Sequence, residues 1–427
     1  MISWIRNLLA ARHNVRAHFW QSLANYTQAG GGMLLGIILA RLLNPSDFGE
    51  FVFITASLSF LMIPASFSTA QLLISDAGRT PNLLNRVLGL ATIVSGIKTL
   101  LLMGYVAFSL WQGNSTRANV AIVVALPLVF SDMLTTLRYD MEGRGFFKQN
   151  VFLQAAELIA NSSVAVALIL NDYGIYGLAS GAFAGFLVQT LCYLRMYRHR
   201  LASMNLDFSL ASSQFHTGFW LWLASMSSNW YSRIDKIILG KFGGPSELGY
   251  YNRAMNYGPI SHVILNSLMT NAAIRSLSFE SEAKVKRKRF FKNMAILLSG
   301  ACANGFFWFF FAEPIVPWLF GSQWQPAAHS FAILGWLGIP YCLLFGSAAL
   351  LYAGGYYRTI GIIHASALCL LVSLLSLKGS KSTLTSTDTS AIYCIVMMIG
   401  GVAMLMAALK SISYSPNYKK QTERMRK

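Results

Sequence analysis

Apolar residues in this chain come in runs of about twenty, separated by short polar stretches. That is the length a helix needs to cross a hydrocarbon core of roughly 30 Å. The pattern predicts helices over residues 17–40, 49–75, 86–111, 118–137, 149–170, 174–195, 216–240, 254–275, 293–313, 326–351, 358–377 and 389–410. About twelve membrane-spanning helices in 427 residues leave no loop long enough for a folded extramembrane domain. The fold class expected is therefore an all-α integral membrane protein. No cleavable signal peptide is expected ahead of the first run. Instead Trp4, Ile5, Leu8 and Leu9 interleave with Arg6, Arg12 and Arg16, a pattern expected of an amphipathic segment, residues 1–16, lying on a membrane surface.

The same pattern repeats. Residues 37–51 read IILARLLNPSDFGEF and residues 237–251 read IILGKFGGPSELGYY, with Pro45/Pro245, Ser46/Ser246 and Gly49/Gly249 among six identities in fifteen positions. Each segment runs from an apolar helix into a turn marked by Pro45 and Gly49 or by Pro245 and Gly249. Six helices separate the equivalent points, so the two halves have the same orientation. The expectation is two parallel six-helix lobes, residues 17–200 and 216–410, around a central cavity. A linker over 201–215 and a basic tail over 411–427 complete the layout.

Composition agrees: 55% of residues are hydrophobic and only 12% charged. The net charge of +18 would suggest a nucleic-acid partner in a soluble protein. Here most of the 34 Lys and Arg fall in the N-terminus, the C-terminus and the even-to-odd loops between helices, so the positive-inside rule accounts for them and places both termini in the cytoplasm. No nucleic-acid partner is expected. The basic run Lys284, Lys286, Arg287, Lys288 and Arg289 reads as a topology signal that also touches anionic lipid. The five cysteines sit in apolar stretches without metal-ligand spacing and read as packing residues. No Walker A sequence, HExxH, GxSxG or paired metal-ligand cluster occurs, so no catalytic residue, metal or cofactor is expected and the chain reads as a non-enzyme.

Polar residues inside the spans are costly in lipid and mark a bundle interior or a water-filled route. Helix 1 carries Gln21, Asn25, Gln28, Gly32 and Gly36 on one face. Two hundred residues on, helix 7 carries Leu221, Ser225, Ser228, Ser232 and Lys236, so the stripe repeats. Helix 7 adds Asn229, Arg233 and Asp235. Helix 5 carries Gln154, Glu157 and Asn161 on one face, helix 3 has Lys98 and helix 4 has Asp132. Ser and Gly at such places also serve close helix packing, and Arg233, Asp235 and Lys236 also read as an internal ion pair. A weaker echo joins Pro127 and Pro340, each ten residues before a Leu and twelve before a Tyr.

At ILARLLNPSDFGEF (38–51) and DKIILGKFGGPSELGYYNRAMNY (235–257) the chain resembles the polysaccharide transporter family, the Wzx-type lipid-linked oligosaccharide flippases of the MATE-related MOP exporter superfamily. The phrase from Leu248 to Ala254 is the most specific part of the match. The resemblance implies a MATE-like architecture in the bacterial inner membrane. It also implies alternating-access transfer of undecaprenyl-diphosphate-linked oligosaccharide units from the cytoplasmic to the periplasmic leaflet. Such units feed O-antigen, capsule or exopolysaccharide assembly, with a polysaccharide polymerase and chain-length machinery as partners beside the membrane lipids. The family's acidic position near the end of helix 7 matches Asp235.

On that reading, Lys98, Arg233 and Lys236 attract the diphosphate, while Asn25, Gln28, Asn229 and Ser232 bond sugar hydroxyls. Asp132, Glu157 and Asp235 balance the charge or couple a proton or sodium ion. One rival is an ion-coupled drug or cation antiporter of the same superfamily, which would favour carboxylates on helix 1, where there are none. The other is a polysaccharide polymerase or ligase, which would need a large outer loop.

Overall fold

In the computed structural model the backbone is described for residues 20, 23, 27–28, 30–63, 73, 82–201, 208–260 and 283–413. All the regular structure among them is helical. In chain order the helices are α1 (Gly30–Leu42), α2 (Pro45–Met62), α3 (Leu83–Trp111), α4 (Ser115–Gly143), α5 (Phe147–Leu170) and α6 (Ile175–Leu201). They continue as α7 (Phe208–Phe242), α8 (Pro245–Tyr257), α9 (Ala283–Phe320), α10 (Ser322–Tyr352), α11 (Tyr357–Lys381) and α12 (Ser386–Ser413). Among the described residues eight of them, α3–α6 and α9–α12, are long and apolar enough to cross a membrane. The expected amphipathic segment 1–16, Gln21, Asn25 and all of the tail past Ser413 lie outside the described residues.

Two expectations change at the helix ends. The stretch expected as a linker over 201–215 is already helical from Phe208, because Phe208–Phe242 continues without a breaker. The repeated motif is a helix start as well as a turn. Pro45 and Pro245 each occupy the first turn, where the missing N–H costs nothing, and Gly49 and Gly249 lie buried inside α2 and α8. Gly244, at φ 87°, supplies the sharp entry that Asn44 makes in extended conformation.

The chain divides into two compact units, Met1–Phe219 and Trp220–Lys427, so the boundary falls inside α7. The duplication is visible in the backbone beyond the repeated motif. Gly113 and Gly321 both take positive φ before the fourth helix of their unit. Gly145 and Gly355 do so before the fifth, each followed by two aromatics and a cation (Phe146-Phe147-Lys148; Tyr356-Tyr357-Arg358). The prolines do not follow this register. Pro127 precedes a break at Phe130 in α4, whereas Pro340 lies between two irregular turns of α10, so the expected echo joins non-equivalent heights.

In unit 1, one apolar cluster joins α2, α4 and α6 through Ile54, Leu58, Val120, Val124 and Ala179. Another joins α3, α4, α5 and α6 through Leu88, Leu137, Met141, Leu153 and Tyr193. The closest pair is α5 with α6, made possible by Gly177, Gly181 and Gly185 at four-residue spacing. A Cβ at Gly181 would lie 2.6 Å from Ala165 Cβ and 2.8 Å from the Asn161 carbonyl oxygen.

In unit 2, α10 is a broken rod, with 3-10 turns at Ser322–Ala327 and Gly335–Leu337 and a π segment at Cys342–Gly346. Pro340 has no N–H to continue the ladder. Asn304 on α9 stitches the break, donating to the carbonyls of Gly258 and Gly335 at 2.8 Å each.

Each unit also closes a contact between its second and fourth helices with an arginine over a ring. In unit 1, Arg117 of α4 lies 4.6 Å from the Phe53 ring centre and makes a two-point ion pair with Glu50 of α2. In unit 2, Arg253 of α8 lies 5.2 Å from the Trp324 ring centre on α10, with Tyr250 edge-on to the same ring. Near these contacts, Glu247 accepts from the Ser386 N–H at 2.6 Å, and Thr385 and Asp388 form a reciprocal cap on α12.

Candidate functional site

Gln28 and Gly32 are the exposed members of the helix-1 stripe among the described residues. Nothing lies near Gly32, while the adjacent Gly31 packs onto Leu158 of α5.

Lys98 is not available to a ligand as an open cation. Its side chain is 3% exposed and forms an ion pair with Asp132, 3.1 Å from Ser131 Oγ and 3.4 Å from the Leu128 carbonyl. The break in α4 explains the arrangement: Leu128 is at the C-terminal end of one helical piece and Asp132 in the first turn of the next. The ammonium and the carboxylate each complement the helix end they meet. In this ion pair Lys98 and Asp132 neutralise each other, an arrangement that suits the charge-balancing role expected of Asp132. Lys98→Met is expected to lower the thermal midpoint of the purified protein, and Lys98→Met with Asp132→Asn to recover most of the loss, since the uncompensated charge carries the penalty. Equal losses in the single and double variants, measured by fluorescence-monitored unfolding, would rule the pairing out as the cause.

Glu157 on α5 is half-buried, and one of its oxygens accepts from Gln189 of α6 at 2.9 Å. Below it runs a ladder: Arg138 Nε to Glu142 Oε1 at 3.0 Å, Asn150 Nδ2 to the same oxygen at 3.0 Å, and Gln154 Nε2 to Asn150 Oδ1 at 3.2 Å. Arg144 and Tyr197 converge on Asp140 beside it, at 2.7 and 2.8 Å. Sequence reasoning had Gln154 and Glu157 on one face but missed Glu142, Asn150 and Tyr193. The density of acids and amides around the α4–α5 connection was the available signal.

On α7 the expected site residues separate. Ser225 and Asn229 are exposed, and Asn229 and Ser232 bond carbonyls of their own helix at 2.9 and 2.8 Å. Asp235 is wholly buried. It accepts from Tyr251 Oη at 2.6 Å and the Lys236 N–H at 2.8 Å, with Lys236 Nζ at 3.6 Å. Lys236 Nζ also donates to the Ser232 carbonyl at 2.7 Å. Asp235 and Lys236 thus form a buried pair held by Tyr251, the internal pairing that was the other expectation for these residues. Arg233 is half-buried and makes no ion pair or hydrogen bond among the described residues. Beneath the pair lie Tyr341 and Tyr393, their hydroxyls 3.2 Å apart, and His364 stacked on Tyr231 with Nδ1 3.4 Å from its hydroxyl.

The chain matches a family profile described as polysaccharide biosynthesis protein over residues 38–329. No curated protein sequence matches it significantly. Among solved structures it is similar to the inward-facing form of a multidrug resistance MATE family transporter of the MOP superfamily. The identity there is 14% and the TM-score 0.66, over 93% of this chain and 98% of that one. A mutant of the Vibrio cholerae MATE transporter VcmN aligns with 14% identity and TM-score 0.60, over 96% and 99% of the two chains. A MOP superfamily transporter from Pyrococcus furiosus, whose reversed binding-pocket polarity suggests a different function, aligns with 15% identity and TM-score 0.58, over 93% of each. These likenesses establish a MATE-type transporter fold.

Proposed function

Because the chain belongs to the polysaccharide biosynthesis protein family and has a MATE-type transporter fold, we propose that this membrane transporter flips lipid-linked oligosaccharide. The substrate is an undecaprenyl-diphosphate-linked repeat unit, moved from the cytoplasmic to the periplasmic leaflet of the bacterial inner membrane by alternating access. Diphosphate and sugar are strongly hydrated, so the transporter must replace water with fixed donors while the polyprenyl tail stays in lipid.

The observation that carries this reading is the family match together with the character of the exposed polar groups. Just ahead of and along α1, and on α7, these are neutral amides, hydroxyls and glycines (Gln28, Gly32, Ser225, Asn229), which suit sugar hydroxyls better than a cationic drug. Arg233 supplies the charge for the diphosphate: a guanidinium offers paired N–H donors to phosphate oxygens, and Lys98 and Lys236 are engaged elsewhere. Glu157 is the carboxylate in this reading that answers to a coupling proton or sodium ion. The chain itself catalyses no reaction, and a polymerase and chain-length machinery act on its product.

Surface polysaccharide in a strain dependent on this gene tests the assignment. Arg233→Ala is expected to cut export about 10- to 100-fold, the loss of one or two charge-assisted hydrogen bonds, with normal protein in the membrane. Arg233→Lys should keep only part of the activity. Undiminished export by Arg233→Ala would remove the diphosphate role. Drug-dependent proton movement in proteoliposomes, with no polysaccharide defect in a null strain, would favour the antiporter instead.

A further inference from the structure

Helices α5 and α6 run antiparallel in a register that their glycines fix. Gly181 packs on Asn161 and Ala165, Gly185 on Glu157 and Asn161, and Gln189 bonds Glu157. The next rung toward the α4–α5 connection sets Tyr193 opposite Gln154 and Leu153, and Tyr193 and Leu153 share one apolar cluster. At this rung three oxygens, Gln154 Oε1, Thr190 Oγ1 and Tyr193 Oη, are sealed from solvent and have no hydrogen-bond partner among the described residues. Gln154 is 2% and Tyr193 1% exposed. Thr190 and Tyr193 are three apart on α6 and so share a face.

The polarity of the site follows from Glu142. Its carboxylate only accepts, so Asn150 must present its Nδ2 there and its Oδ1 to Gln154. Gln154 then donates through Nε2, which leaves Oε1 as an acceptor in need of a donor. Tyr193 and Thr190 each bring a hydroxyl able to donate or accept. A buried carbonyl oxygen beside two hydroxyls is what an internal water satisfies, since such waters make two to four bonds to groups that otherwise lack them.

We infer that unit 1 holds a buried water between Gln154, Thr190 and Tyr193. The charged groups acting on this rung are Arg138 and Glu142 from α4 and Glu157 from α5, with Cys192 of α6 packed against the same cluster. Leu84, Val87 and Leu88 close it from α3. Gln154 and Glu157 are three apart on α5, so the water lies on the carboxylate's face. This goes beyond the transport reading and does not depend on which substrate is carried.

Radiolytic hydroxyl labelling of the full chain in nanodiscs reads the site directly, because radicals formed from an ordered water oxidise the side chains that touch it. Tyr393 is the internal control: it is wholly buried and its hydroxyl faces Tyr341. Tyr193 is expected to label at least tenfold faster than Tyr393. In Thr190→Val with Gln154→Met, Tyr193 labelling should fall to the Tyr393 rate while Tyr393 itself is unchanged. Equal protection of Tyr193 and Tyr393 in the native protein would overturn the inference, and that comparison needs no variant to fold. Rapid Tyr193 labelling in the purified protein together with undiminished polysaccharide export in a null strain would count against the transport reading alone.

Discussion

Asp235→Ala is expected to be among the most damaging single substitutions in unit 2. The substitution leaves the Lys236 ammonium, 8% exposed, without its counter-charge and strips Tyr251 of its acceptor. Removing one partner of a buried pair costs about 3–5 kcal/mol, and a buried phenol left unsatisfied adds about 1–3 kcal/mol. Against a total stability on the order of 5–15 kcal/mol, that is enough to unfold a large fraction of the molecules. Size-exclusion profiles and thermal midpoints of the purified variant would show the collapse. Asp235→Asn combined with Lys236→Met removes both charges while keeping an acceptor for Tyr251, and should recover most of the native midpoint. A double variant as unstable as the single one would mean that shape at this position, and not charge, governs unit 2.

Gly181→Leu has the second largest expected effect, for a different reason. At Gly181 the α5 backbone is so close that even a methyl group would fall 2.8 Å from the Asn161 carbonyl oxygen. Carbonyl and helix axis cannot yield as a flexible side chain can, so α5 and α6 must separate. Overpacking of this kind costs typically about 1–3 kcal/mol. Separation would also part Gln189 from Glu157 and open the rung at Gln154. Export should therefore fall further than stability alone accounts for, and Gly181→Ala should show a milder version of both. Measuring midpoint and surface polysaccharide on the same two variants separates the effects. Native behaviour of Gly181→Leu would show that the two helices have room to spare.

Much of the architecture was legible because membrane helices announce themselves by length and polarity, and because Pro45 and Pro245 mark equivalent helix starts. The partnerships of charged residues were not. Lys98 and Asp132 are 34 positions apart and meet only because α4 breaks at Phe130, a break that Pro127 hints at without fixing its height. On α7, spacing alone puts Arg233 and Lys236 on neighbouring faces and suggests a shared role. The flexible lysine instead folds back to the Ser232 carbonyl and the Asp235 carboxylate, while Arg233 keeps its own place. A four-carbon stem gives Lys that freedom, and no periodicity records it. Tyr251 was in view from the repeat, but its role as the acceptor-seeking lid on Asp235 depends on how α8 folds back against α7.

The two arginine–ring contacts carry a further lesson about descent. In unit 1 the cation comes from the fourth helix (Arg117) and the ring from the second (Phe53); in unit 2 the cation comes from the second (Arg253) and the ring from the fourth (Trp324). Phe53 and Arg253 occupy the same place in the repeat, as do Glu50 and Tyr250. The halves have thus kept an attraction while exchanging which side supplies each part, a change that passes through mismatched intermediates unless both sides alter together. Among relatives, positions 50, 53 and 117 should therefore covary as one group and 250, 253 and 324 as another. Grafting Arg alone at Phe53 should oppose two guanidiniums and fail where the paired exchange with Trp at Arg117 succeeds.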